Sequence, residues 1–313
     1  MSIAYSLRVA ALGAALVASV AFAAPPAIAA PAKVCRSQEQ RFEQIERDPT
    51  SIEINAALFS AADKGCTDLA RKLLELGASL DARDRTGTRP LARAAVAGEV
   101  EMVTLFLDRG AAIDAQNIEG SSALFQAAEN GRLPVVKLLV GRGANVSLPG
   151  RSGITPLAAA AYMGSVPIIE LLMEKGADPK TTDSTGKAAM VYAAGRGFSP
   201  VVRLLLDHGV DVNARYGNDL TALMWAAGHS DEAGVQDVVA VMTMLLDSGA
   251  HIDDADNRGR TALMIAAELN HAEAVDLLIA RGADKTLKDK EGKRASDLTT
   301  LTALRDKLAA NPN

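Results

Sequence analysis

The chain has 313 residues, with 33 lysines and arginines against 38 aspartates and glutamates, for a formal net charge of −5. Beyond residue 30 no stretch concentrates basic side chains as a phosphate-tracking surface requires, which excludes nucleic acid as an expected partner. Aromatic residues are 4% of the chain while alanine, leucine and valine dominate, a bias toward close-packed helices over sheets.

In chain order, residues 1–30 read as a secretory signal peptide: Arg8, an uncharged run from Val9 to Ala24, then Ala-x-Ala sites that fit cleavage after Ala23 or near Ala29. The alternative is an uncleaved anchor, although the run falls short of the roughly 20 residues that span a bilayer. Cys35 follows Lys33-Val34, which is unlike a lipobox. Export sets the expected localisation, the periplasm, with secretion beyond the envelope as the alternative, and no membrane contact after cleavage. Residues 31–54 form a capping segment, in which a charged helix from Gln38 to Arg47 stops at Asp48-Pro49 and offers Phe42 and Ile45 to the next element. In an oxidising compartment the two cysteines, Cys35 and Cys66, have one intrachain pairing. That bridge, the expectation here with two unpaired thiols as its alternative, would close a loop of about 32 residues and contribute about 3–4 kcal/mol by loop entropy.

From residue 55 to 288 the sequence repeats itself. Glycines closing a Leu-Leu-x-x-Gly phrase stand at Gly77, Gly110, Gly143, Gly176, Gly209, Gly249 and Gly282, spaced by 33 except for one interval of 40. A fixed period of this size marks a stack of like supersecondary units. Thr155, Thr221 and Thr261 are positioned to cap a first helix, and Pro90 and Pro156 to start one. An Ala-Ala pair, such as Ala94-Ala95 or Ala266-Ala267, then allows close helix approach. Pro134, Pro167 and Pro200 start a second helix with apolar residues at i, i+3 and i+4, as in Val135, Leu138 and Leu139. The recurring glycine ends it in a left-handed conformation. Residues 289–313 begin another unit whose helix is polar, as a C-terminal cap half-repeat requires.

This pattern resembles the ankyrin repeat, which implies an all-α ankyrin-repeat solenoid of about seven repeats plus terminal caps. One departure is systematic: the histidine usual after Thr-Pro-Leu is replaced by Phe59, Ala92, Phe125, Ala158, Val191, Met224 and Met264, which removes a side-chain hydrogen bond from each loop. Repeat six is seven residues too long. Helical spacing from Val235 to Leu246 predicts a second helix extended by about two turns, preceded by a loop, His229 to Glu232, that projects from the stack. A metal site at His229, Asp231 and Glu232 is an alternative use of that loop; a tolerated insertion is the simpler one.

No catalytic constellation is legible. His208, His229, His251 and His271 are scattered and lack zinc-hydrolase spacing, and no nucleophile elbow occurs. Gly186-Lys187 and Gly292-Lys293 are turn glycines. The chain is therefore expected to be non-enzymatic, without cofactor or metal. The resemblance implies that a protein partner binds the hairpin tips and the concave face of the first helices. Carried over by position, the tips hold Arg85, Ile118, Glu119, Arg151 and Asn218, and the concave face holds Tyr162, Met163, Arg196 and His229. Trp225 stands one residue before an Ala-Ala pair, with partial burial between helices as its alternative role. The expectation is a periplasmic protein-binding scaffold, a monomer, of the kind thought to support envelope or stress-response enzymes. Alternatives are a secreted effector that binds host proteins and a small-ligand or metal carrier using the repeat-six loop.

Overall fold

The computed structural model describes residues 32–43, 49–229 and 233–310. The signal-peptide segment, Ile45 and the Ser230 to Glu232 part of the repeat-six loop lie outside the described residues.

The described chain is all helical apart from one isolated bridge, Tyr216 with Leu220. A leading helix, α1 (Ala32–Glu43), is followed by α2 (Ser51–Lys64) and α3 (Thr67–Glu75), α4 (Pro90–Ala97) and α5 (Val100–Asp108), α6 (Ala123–Glu129) and α7 (Leu133–Gly141). Then come α8 (Pro156–Tyr162) and α9 (Val166–Glu174), α10 (Ala189–Gly195) and α11 (Ser199–Asp207), α12 (Ala222–Ala227) and α13 (Val235–Asp247), α14 (Ala262–Glu268) and α15 (Ala272–Ala280). A short pair, α16 (Ala295–Leu298) and α17 (Thr302–Ala309), closes the array. The first helices pack in one row, α2 to α4 to α6 and onward to α16, and the second helices in a parallel row behind them. Each pair buries its apolar face on its neighbours, so the core is one continuous seam along the stack.

The local chemistry follows the sequence. Thr155, Thr221 and Thr261 accept hydrogen bonds from the backbone N–H of Ala158, Met224 and Met264 at 3.1, 3.4 and 3.3 Å, satisfying amides that a helix start leaves orphaned. Ala94, Ala95, Ala160, Ala161, Ala266 and Ala267 are fully buried where the inner helices meet. The seven period glycines have φ between 76° and 95°, with nothing within 4 Å of an ideal Cβ at any of them. Backbone conformation alone thus selects glycine there. In α7 the buried residues are Val135, Val136 and Leu139, while Leu138 is half-buried, because the face turned to the neighbouring helices is narrower than the apolar pattern.

At the N-terminus α1 already starts at Ala32, before the Gln38 that charge pattern indicates. A Cys35–Cys66 disulfide, with a Cα–Cα distance of 5.2 Å, ties its first turns to repeat one. Phe42 is buried against that repeat.

Repeat six differs from expectation. Helix α13 has 13 residues where its counterparts have nine, so the extension is four residues, about one turn rather than two. The rest of the insertion lengthens the link between α12 and α13, because Gly228 ends α12 and Gly234 starts α13. His229 does not project from the stack. It is buried, and its ring lies on that of His271 with centroids 3.9 Å apart. The reason is local: Nδ1 of His229 faces the Ala226 carbonyl at 3.2 Å and Nδ1 of His271 the Ala227 carbonyl at 2.9 Å, so the end of α12 gathers both rings.

The hairpin tips are clamped by a side chain that the period conceals. Asp84, Asn117, Asp183, Asp256 and Asp289 each accept, through Oδ1, the backbone N–H groups two and four residues later at 2.7–3.0 Å. This Asx clamp supplies the loop rigidity that the missing histidines put in question. Gly150 and Tyr216 occupy the same place in the other two tips, which instead make single-turn 3-10 helices with Ser152, Asn218 and Asp219 at positive φ. Neighbouring tips are linked by backbone hydrogen bonds: Ile118 N–H to Thr86 O (3.2 Å), Ser184 to Ser152 (2.9 Å), Gly217 to Gly186 (2.9 Å), Asn257 to Asn218 (3.0 Å) and Lys290 to Arg258 (3.0 Å). Among the described residues no such bond joins the tip at Asn117 to that at Gly150; the Gln116 side chain bridges them by donating to Pro149 O at 3.0 Å.

Candidate binding groove on the inner helices

One position of the inner helices records how the concave face changes along the stack. It holds Ser60, Arg93, Gln126, Ala159, Tyr192, Trp225 and Ile265 in successive repeats. Near the N-terminus it is polar and self-satisfied: Arg93 makes a two-pronged pair with Asp63 at 2.9 and 2.6 Å. From repeat five onward it is aromatic and apolar.

Around Tyr192 and Trp225 the side chains interlock. Tyr162, half exposed at the end of α8, meets Tyr192 edge to face with ring centroids 6.2 Å apart. The Arg196 guanidinium lies 4.7 Å from the Tyr162 ring centre and the Lys187 ammonium 4.9 Å from that of Trp225. The Tyr192 hydroxyl donates to Asp183 Oδ2. Burial and the Asp183 carboxylate both hold the Tyr192 hydroxyl protonated far above the usual phenol range. Burial works against the Asp183 carboxylate, but hydrogen bonds from Tyr192, Thr185 and the Lys187 amide outweigh it and lower its pKa. The Trp225 Nε1–H is buried and has no hydrogen-bond partner among the described residues.

Between these groups lies an open notch of about 200 Å³, lined by Tyr162, Lys187, Tyr192, Arg196, Trp225 and His229 among others. A second shallow notch on the far side of Trp225 is walled by Ile265 and Leu269. The shape is that of a groove, and it offers surface without convergent acids and bases.

The structure therefore brings Tyr162, Arg196, Trp225 and His229 into one site, with Met163 exposed beside them. Trp225 is half-buried and serves as wall and floor at once. His229 contributes an inward edge and not a projecting contact. The tip residues Arg85, Ile118, Glu119, Arg151 and Asn218 are all exposed on the separate line of hairpins, where Arg151 pairs with Glu129. Sequence reasoning missed Lys187, read only as the lysine after a turn glycine. Its signal was position: it sits in the tip that precedes the one aromatic pair of inner-helix residues. Among the described residues no three potential ligands are grouped for a metal, and no helix is long and apolar enough to cross a membrane.

Comparison with known proteins agrees with this architecture. A family model described as ankyrin repeats (three copies) matches residues 42–117, 58–150, 111–183, 158–242 and 217–289. The crystal structure of the human ASB11 ankyrin repeat domain is similar to the chain at 25% identity and a TM-score of 0.65, over 72% of this chain and 100% of that one. With helix pairs, tips and period accounted for across residues 42–289, the chain belongs to the ankyrin-repeat family.

Proposed function

We propose that this chain is a non-enzymatic scaffold of the bacterial periplasm that docks a partner protein in the groove formed by repeats four to six, with the hairpin tips as a second contact line. Ankyrin repeats generally mediate protein–protein interaction, and the fold is typically an interaction scaffold. The observation that carries the assignment to this groove is the aromatic and cationic cluster of Tyr162, Tyr192, Trp225, Lys187 and Arg196 on a face that is polar and self-paired toward the N-terminus. Aromatic and arginine side chains are the residues that dominate binding energy at interfaces. The periplasmic reading rests on the leading thirty residues and is supported by the Cys35–Cys66 bridge, a bond that persists in oxidising compartments. A partner among envelope or stress-response enzymes is the expectation drawn from family resemblance.

The test is position-specific photo-crosslinking in cells. A benzoylphenylalanine at position 162, inside the groove, is compared with one at exposed Glu170 on the outer row. Adducts from 162 and none from 170 support the reading. Adducts from 170 alone refute it. Fractionation of the same cells locates the processed chain, and its accumulation in the medium would favour the secreted effector.

A further inference from the structure

Repeats five and seven carry a basic residue at the same point of the tip, Lys187 and Arg260, and the two are satisfied in opposite ways. Arg260 donates from Nε to Asp256 Oδ2 at 3.0 Å and from Nη1 to Glu268 Oε2 at 2.8 Å. Its charge is neutralised within the repeat. In repeat five the clamp residue is Asp183, but its Oδ2 is taken by the Tyr192 hydroxyl. The residue that corresponds to Glu268, immediately after the Ala-Ala pair, is Gly195. Among the described residues Lys187 therefore has no carboxylate, and its ammonium rests on the faces of Trp225 and Tyr192 at 4.9 and 5.9 Å from the ring centres. Contacts of this kind are worth about 0.5–1 kcal/mol at exposed sites, less than a hydrogen bond between charged partners.

The surroundings match that demand. Among the described residues no aspartate or glutamate lines the notch beside Lys187. The row is bounded by Glu129, paired with Arg151, and by Glu268, paired with Arg260. A carboxylate meets the Lys187 ammonium here, while the glutamates that bound the row already have arginine partners. Apolar surface flanks the notch on both sides, Met163 on one and Ile265 with Leu269 on the other.

We propose that the groove recognises an acidic side chain on an extended segment of its partner, whose carboxylate sits above Gly195 beside Lys187 and takes the place that Glu268 fills in repeat seven. Apolar residues on either side of that acid lie along Met163 and Leu269. This rests on the groove being the docking surface. It adds the chemistry of what docks there.

Gly195 also provides the test. An ideal Cβ at this position meets nothing closer than the Trp225 carbonyl oxygen at 3.7 Å, and the backbone is helical, so larger residues fit. The probes are a labelled Gly/Ser-rich dodecapeptide with two glutamates flanked by leucines, the same peptide with glutamines, and a thymidylate dodecamer. Binding to the full-length exported chain is followed by anisotropy and by emission of its single tryptophan, Trp225. The glutamate peptide should bind roughly tenfold more tightly than the glutamine peptide, the factor expected of one charged hydrogen bond. Lys187→Met should erase that preference. Gly195→Glu should supply the carboxylate from within and weaken the glutamate peptide by about the same factor, with a melting temperature no lower than that of wild type, since the change removes a glycine from a helix. Equal binding of the two peptides, indifference to Gly195→Glu, tighter binding of thymidylate, or no binding by any probe overturns the proposal. In the last case, adducts from position 162 would leave the groove itself standing as the docking surface.

Discussion

Replacing Gly217 by alanine should pry apart the tips of repeats five and six. Gly217 is not selected by positive φ; it is selected by contact. An ideal Cβ there would lie 2.0 Å from the Thr185 carbonyl oxygen. A carbon and a carbonyl oxygen approach to about 3.3 Å at closest, so one tip must retreat by roughly 1.3 Å. The Gly217 N–H to Gly186 O bond of 2.9 Å then stretches beyond hydrogen-bonding range. Its loss costs about 0.5–1.5 kcal/mol and overpacking about 1–3 kcal/mol, together roughly 1.5–4.5 kcal/mol. For an array of this size that lowers the melting temperature by roughly 3–18 °C. Circular dichroism melts measure the total. Hydrogen exchange of the tip amides supplies the location, which matters because repeat arrays need not unfold in one step. Gly143→Ala is the contrast. With φ +87° and no neighbour within 4 Å, it should cost about 1–2 kcal/mol of backbone strain and leave the tip amides protected. A Gly217→Ala chain that melts with wild type and keeps amide 217 protected would refute the reasoning.

Cys66→Ser should remove about 3–4 kcal/mol of loop-closure stabilisation, seen as early proteolysis of the segment around Cys35 while repeats three to seven keep their exchange protection; a uniform loss along the chain would contradict that localisation. Asp183, whose folded-state pKa is lowered by its hydrogen bonds, carries stabilisation that is full above its unfolded value of about 3.9 and is lost as pH falls through the folded value. Asp183→Asn keeps the Oδ1 clamp, as Asn117 does, and should flatten the fall in stability below about pH 4; parallel acid titrations of the two chains would exclude Asp183 as a contributor. Leu172, fully buried in α9, should cost about 2–5 kcal/mol as alanine in a chemical melt, and a loss below about 1 kcal/mol would mean that the stack closes over the gap.

Fold and repeat count were legible because each unit repeats the same physical solutions: a threonine whose hydroxyl caps, a proline where no donor is lost, an alanine pair where helices touch, a glycine where φ turns positive. The groove was legible only in part. Tyr162, Met163 and Arg196 followed from their place after the alanine pair. Lys187 did not, because the ring beneath it, Trp225, is a full repeat away in sequence. The His229–His271 stack was hidden for a different reason. The insertion in repeat six breaks the period, and where a chain of altered length turns depends on which carbonyls it meets, here those of Ala226 and Ala227. The Asx clamps were visible as residues but not as a device, since aspartate in a turn is common and only the geometry of Oδ1 distinguishes a brace from a solvated charge.

Among the described residues the row of tips is sewn together by main-chain bonds at every junction but one, between repeats three and four, where a glutamine side chain stands in. A side-chain strap yields more easily than a backbone rung, so these two tips are held to each other less firmly than the rest. On one side of the junction stand Arg85 and Ile118, on the other the aromatic groove. A partner that grips the groove alone does not load that junction. One that reaches back to Arg85 spans it, and substitutions at Gln116 should then alter its affinity without touching either contact.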